Sequence, residues 1–264
     1  MISVCILTKN GQATIRATLD SVRLFPEVLI LDTESTDDTI SIAKKYPNVK
    51  VHETTFCGFG PLRNIIAERA SHDWILAIDS DEILSEGLIQ EILSLSLDSS
   101  FAYTIPRHNF YRGKRILGCG WSPDAVARLY HRKTTRFSAA KVHESLETKN
   151  LIPLQYPLLH TPYRSTSDFL AKMQHYSTLF AEQYKGKRKS SFTKALVHGF
   201  FAFFRSYLLK RGMIDGTEGF IISLYNANTA FYKYLKLNEL NEALSDSSVP
   251  HESLDRPTPH QERV

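Results

Sequence analysis

The chain reads as an α/β protein, a doubly wound and mostly parallel sheet followed by a C-terminal helical region. Three observations predict this. Short apolar runs alternate with amphipathic stretches over the first hundred residues, the fourth run ends in a cluster of acids, and after Ser165 strand-like runs give way to helical periodicity. Alternation of this kind implies parallel strands with helices on both faces.

Ser3–Leu7, Val28–Leu31, Val49–His52 and Trp74–Ile78 are too short for core helices and read as buried strands. Helical stretches fall between them at about 12–24, 37–46 and 60–71, where Ile65, Ile66 and Ala70 share a face, and a fourth runs from about Ser85 to Leu95. From 101 to 161 the elements shorten: Tyr103–Pro106, Phe110–Ile116, Val126–His131 and Leu158–Thr161 read as strands with loops between. The pattern is then helical to about Leu237, and from Ser245 the chain is polar and Pro-containing, as a disordered tail would be. The divisions are 1–165, 166–244 and 245–264.

At 264 residues, 42% apolar and 23% charged, the chain can bury one large core. A net charge of +4 is too weak to indicate nucleic acid, which is excluded as a partner. Cys5, Cys57 and Cys119 are odd in number and unpatterned, so neither a disulfide framework nor a zinc site is expected. The N-terminus lacks a signal-peptide pattern, and no run of about 18 apolar residues exists to span a bilayer. The expected location is cytoplasmic.

Asp79-Ser80-Asp81-Glu82 comes directly after the apolar run Trp74–Ile78. Residues i and i+2 of an extended segment face one side, roughly 6–7 Å apart. Asp79 and Asp81 are therefore candidate ligands for Mg²⁺ or Mn²⁺, hard cations that complete their shells with water and phosphate. The plainer reading has Asp81 or Ser85 capping the next helix. A second acidic cluster, Asp32 to Thr39, comes after the second strand; Thr36–Thr39 reads as a helix start, with Ser35 or Thr36 as its cap. Asp32 is left over, and with Thr8 and Asn10 at the neighbouring strand tip it suits a nucleobase and ribose. Gly58-Phe59-Gly60 lacks the third glycine of a dinucleotide loop, Arg63 standing there, and no G-x-x-x-x-G-K-[ST] loop exists. His143-Glu144 fails as a zinc-protease motif because Glu147 replaces its second histidine.

Three motifs carry a resemblance to family 2 glycosyltransferases of the GT-A fold: Val4-Cys-Ile-Leu-Thr-Lys-Asn10, Ile30-Leu-Asp-Thr-Glu-Ser-Thr-Asp-Asp-Thr39 and Trp74-Ile-Leu-Ala-Ile-Asp-Ser-Asp-Glu82, with Gly60-Pro-Leu-Arg-Asn64 between the last two. It covers about residues 1–165. Pro123-Asp124, Arg128-Leu-Tyr, Val142-His-Glu144 and the aromatic, basic C-terminus make the chain most like lipopolysaccharide core β-1,4-glucosyltransferases. The resemblance implies that Thr8, Asn10 and Asp32 contact the uridine, Arg63 the uracil or diphosphate, and Asp79 and Asp81 the metal, Asp81 more directly. Thr33 stands where many members have a second aspartate, and Glu34 where they have glycine.

The reaction this resemblance implies is an inverting transfer of a hexose, glucose by subfamily, from a UDP-sugar to a lipid-linked glycan such as the lipopolysaccharide inner core. The acceptor hydroxyl needs a carboxylate base. Asp124, four residues before Arg128, is preferred; Glu144 is the alternative. His143 is a candidate third metal ligand or diphosphate contact, or a structural histidine. Other readings are a family 2 enzyme with a protein or capsule acceptor, a nucleotidyltransferase, or a non-catalytic sugar-nucleotide-binding protein. Residues 191–237 are aromatic-rich with basic flanks. They read as helices packed on the catalytic domain or forming a homo-oligomer, or as a peripheral contact with the anionic cytoplasmic face of the inner membrane.

Overall fold

A computed structural model describes residues 1–139 and 144–247. Its centre is β1 (Ile2–Thr8), buried along its whole length because parallel strands flank it on both sides. On one side lies β2 (Glu27–Asp32), with β3 (Val49–Glu53) beyond it at the edge; on the other lies β4 (Trp74–Asp79). The registers align Thr8 with Asp32 and Leu7 with Asp79, so three polar strand ends meet at one rim.

Alternating residues of these strands enter two separate cores. Val4, Ile6, Val28, Ile30, Leu76 and Ile78 pack with α1 (Ile15–Ser21), α2 (Thr39–Ala43) and α4 (Glu86–Ser94). Cys5, Leu7, Leu29, Leu31, Ile75 and Ala77 pack against α3 (Phe59–Glu68) through Leu62, Ile66 and Ala67. The sheet is thus doubly wound, as the sequence predicts. Burial holds the Cys5 thiol protonated, its pKa pushed up to about 12.

The helices α1 and α2 are shorter than their sequence patterns. Side chains tie the two preceding loops together: Gln12 N donates to Asp37 Oδ2 at 3.1 Å, and Asp38 N donates to Gln12 Oε1 at 3.2 Å. Asp38, not Ser35 or Thr36, precedes α2, and it makes no side-chain cap. Ser85 does cap α4, accepting from Leu88 N at 3.3 Å.

After β4 the chain passes through β5 (Glu82–Leu84), β6 (Ala102–Tyr111), β7 (Lys114–Arg115), β8 (Ala125–His131), β9 (Leu151–Pro153) and β10 (Leu158–His160). The strand order is β3-β2-β1-β4-β8-β6-β10-β5, with β8 antiparallel to both neighbours and β10 antiparallel to β5. Flat, four strand spacings would separate β4 from β5 by roughly 19 Å. The link from Asp79 to Glu82 reaches only about 11 Å. The sheet must therefore curl, and it curls around the acidic segment. β6 is also one strand where the sequence suggested two: beyond Pro106 the Arg107 N–H donates to the Asp124 carbonyl at 2.8 Å and the ladder continues.

The C-terminal region is helical: α5 (Thr166–Tyr184), α6 (Phe192–Phe204) running into a π-helical turn at Arg205–Leu209, a 3₁₀ turn at Gly212–Asp215, and α7 (Gly216–Ser247), which continues well past Leu237. Gly199 lets α6 approach α7; a Cβ there would lie 3.1 Å from that of Phe231. Tyr111, Ile116, Cys119, Phe169 and Ile222 form a third core joining helices to sheet. Buried Asp215 strengthens the joint by accepting from Leu117 N at 3.0 Å and Gly118 N at 2.6 Å. The expected tail beyond Ser247 and the candidate ligand His143 lie outside the described residues.

Candidate active site

A cleft of about 1240 Å³ opens where β1 and β4 end, bounded opposite by α5. In open α/β sheets this carboxyl edge is where ligands bind. Asp79 leaves β4 there, and both its oxygens are engaged: Arg63 Nη2 donates to one and Arg128 Nη2 to the other, each at 2.7 Å. Beneath it Glu82 is fully buried, accepting from Arg128 and Arg107 at 3.0 Å on one oxygen and from Asp79 N at 3.0 Å on the other. Arg107 Nε reaches Asp124 at 2.8 Å, and Arg63 Nε reaches Glu144 at 3.0 Å. Carboxylates and guanidiniums thus alternate along a connected lattice. Burial alone would push the Asp79 carboxyl up; Arg63 and Arg128 outweigh it and hold the group well below the usual carboxylate range.

Asp81 lies outside this lattice. Its Oδ2 is 3.5 Å from His160 Nε2 at the end of β10, and His160 Nδ1 is 2.6 Å from Asn109 Oδ1. The Asn109 amide orientation is fixed by chemistry: its Nδ2 meets the Trp121 carbonyl at 2.9 Å and Asp124 Oδ2 at 3.0 Å, and neither can donate. Asn109 Oδ1 therefore accepts from His160 Nδ1. In the neutral ring, Nε2 then presents its lone pair toward a carboxylate. Such an arrangement suits a cation, with Asn109 orienting the histidine from behind. Asp81 and His160 fit a divalent metal in donor type, although among the described residues no group of three or more such side chains converges.

The remaining expected residues divide between the cleft wall and the layer behind it. Thr8 Oγ1 is buried on the wall without a hydrogen-bond partner among the described residues, as is Arg63 Nη1. Gly11 keeps that wall open, since a Cβ would come within 2.7 Å of Thr8 Oγ1. Asn10, on the rim, accepts from Thr36 N at 2.8 Å. Asp32 is buried and held by the Ser35 N–H and hydroxyl. Glu144 is on the cleft wall, whereas Asp124 sits behind it against Arg107 and Asn109. Burial raises the Asp124 pKa, but hydrogen bonds from Asn109 and Arg107 more than reverse this and leave it lowered.

The family model for glycosyl transferase family 2 matches residues 3–141. This chain belongs to glycosyl transferase family 2. An uncharacterized glycosyltransferase of Rickettsia typhi is 30% identical over 257 residues, covering 91% of this chain and 87% of the relative. The lipopolysaccharide core biosynthesis glycosyltransferase LpsC of Rhizobium meliloti is 26% identical over 253 residues, 89% of this chain and 91% of LpsC. Among solved structures, residues 1–349 of S. aureus TarS in complex with UDP-GlcNAc align over 93% of this chain and 92% of that one, with 14% identity and a TM-score of 0.46.

Two departures of this family 2 glycosyltransferase from the family pattern have structural counterparts. Glu34 stands where glycine is usual, and its φ of 63° is the left-handed conformation glycine adopts freely. Thr33, in place of a second aspartate, donates its hydroxyl to the Thr8 carbonyl at 3.2 Å and ties two strand ends together. His160, Asn109 and Arg107 stand at this candidate site, and sequence reasoning missed them. One signal for His160 was present: a polar residue ending the short apolar run at Leu158–Thr161, as Asp79 ends Trp74–Ile78.

Proposed function

We propose that this chain is an inverting hexosyltransferase that moves glucose from UDP-glucose to a lipid-linked glycan, the lipopolysaccharide inner core, at the cytoplasmic face of the inner membrane. The observation that carries the reading is the site itself: a carboxylate and an oriented imidazole beside a buried Arg–carboxylate lattice, at the sheet edge of a family 2 glycosyltransferase. The likeness to LpsC over most of both chains favours a lipopolysaccharide acceptor. Among the described residues no helix is long and apolar enough to cross a membrane, so the reading has the enzyme visit a lipid-linked acceptor from one side.

In this reading Asp81 and His160 hold Mg²⁺ or Mn²⁺, which when bound neutralises charge on the diphosphate leaving group. Arg63 offers its unpartnered Nη1 to a phosphate oxygen, while its other nitrogens are fixed by Asp79 and Glu144. Thr8 offers its hydroxyl to the nucleoside. Glu144 is the base we favour over Asp124, because it lines the cleft and Asp124 does not; each has an arginine on one oxygen, Arg63 on Glu144 and Arg107 on Asp124. Glu144 takes the proton of the acceptor hydroxyl as that oxygen attacks the anomeric carbon opposite the diphosphate. The anomeric carbon–oxygen bond breaks, UDP leaves, and an α-linked donor gives a β-linked product.

The test joins a donor panel with a glycan analysis. Calorimetry on the purified chain should select UDP-glucose among UDP-sugars, and mass analysis of the core from a deletion strain should show one hexose missing. An intact core in that strain would remove the acceptor assignment, and selection of another UDP-sugar would replace the donor.

A further inference from the structure

The outer face of α6 and of the turn after it has no partner among the described residues. Val197 is 61% exposed, Phe200 76%, Phe201 55% and Leu209 63%, with Phe204 and Leu208 between them also exposed. The opposite face is satisfied: Ala195, Gly199 and Ser206 are buried against α7, and His198 stacks on Tyr234 with ring centroids 3.9 Å apart. The exposed aromatics therefore do not belong to an unfinished core. A contiguous apolar ridge of this size on a soluble surface marks an interaction site.

Charge identifies what covers it. Residues 185–214 contain eight Lys and Arg (Lys185, Lys187, Arg188, Lys189, Lys194, Arg205, Lys210 and Arg211) and no Asp or Glu. The basic residues bracket the ridge, most of them in the segment before α6 and in the turn after it. A second copy of the chain docked face to face would bring two such sets together and meet their repulsion. An acidic lipid surface meets the cations with opposite charge and the aromatics with an apolar interior. Length sets the mode: α6 spans about 20 Å at 1.5 Å per residue, short of a 30 Å hydrocarbon core, so it lies in the interface plane.

We infer that the outer face of α6, with the turn at Arg205–Leu209, is a membrane-docking surface that inserts Phe200, Phe201 and Leu209 into an anionic leaflet while the flanking lysines and arginines contact lipid phosphate. It deepens the lipid-linked acceptor reading and rests on that reading for its purpose, but its test needs neither donor nor acceptor. The full chain is sedimented with phosphatidylglycerol/phosphatidylethanolamine vesicles and with phosphatidylcholine vesicles. The expected result is binding to the first at least tenfold stronger than to the second, weakened by 0.5 M NaCl. Phe200→Ser/Phe201→Ser and Lys185→Gln/Lys187→Gln/Lys189→Gln should each lower binding to anionic vesicles at least tenfold, with melting temperature and UDP-glucose hydrolysis unchanged; Arg188 is left in place because it packs over the Tyr184 and Tyr234 rings. Equal binding to both vesicles, wild-type binding by both variants, or light scattering showing a dimer that Phe200→Ser/Phe201→Ser dissociates would overturn it. A surface that binds as expected beside an inactive site would condemn the catalytic reading alone.

Discussion

Arg128 illustrates how little of this site is visible one residue at a time. It holds Asp79 and Glu82 together from a buried position, and its guanidinium is kept firmly charged by those two partners despite burial. Arg128→Ala would take one of two guanidiniums from half-buried Asp79 and from fully buried Glu82, leaving Arg63 and Arg107 on them, and the cost should be about 2–3 kcal/mol in denaturant unfolding. A cost below about 1 kcal/mol would mean that the lattice contributes little to stability. Asp81 was legible in the sequence as an acid just past a strand end, but its direction was not: Ser80 and Asp81 form a turn instead of extended strand, so Asp79 meets Arg63 and Arg128 while Asp81 meets His160. His160 itself was not legible, because nothing in the linear order says that β10 lies beside β6 and close to the β4–β5 link. Asn109 is the sharper case, since its importance lies wholly in which atom it turns toward which neighbour. Asn109→Ala leaves the His160 tautomer unset, and Mn²⁺ affinity measured by calorimetry should fall about 10–100-fold. Unaltered affinity in that variant would dissociate Asn109 from the metal reading.

Between elements, a charged joint outside the cleft is Glu27 at the start of β2. It accepts from Ser3 Oγ at 2.6 Å, Ser71 N and Oγ at 2.7 Å, and Lys50 Nζ at 2.8 Å, joining β1, β2, β3 and the turn into β4. Burial alone would raise its pKa, but the hydrogen bonds from Lys50, Ser3 and Ser71 lower it from 4.5 to about 2. Because the folded value lies below the unfolded one, this stabilisation is complete above about pH 4.5 and is lost as pH falls toward 2. Glu27→Gln should lower stability by about 2 kcal/mol at pH 7 and flatten the acid limb of a melting-temperature profile between those values. An unchanged limb would place the acid sensitivity elsewhere. The parallel strands of this half were readable because central strands are apolar runs of characteristic length. The antiparallel half was harder: Pro106 suggested a strand end, and β5, β9 and β10 are only three residues each, too short to show a period.

At the scale of the whole molecule, the curl of the sheet is what converts a sequence motif into a site. It brings β10, more than seventy residues downstream of Asp79, back to the acidic segment, and it carries Glu144 to the same wall. The doubly wound class and the edge where ligands bind can be read from the order of strands and helices. The pairing of Asp81 with His160 and the setting of Asp124 behind the cleft arise only from closure. The helical region adds a face whose composition was readable as aromatic and basic, although which residues point outward depended on how α6 packs on α7. The most direct test of the central claim is the rate of UDP release from UDP-glucose by the purified chain. Wild type should turn over in Mn²⁺ and stop in chelator, and Asp81→Ala and Glu144→Gln should each lose about two to three orders of magnitude. Turnover undiminished in chelator and in both variants would contradict the account.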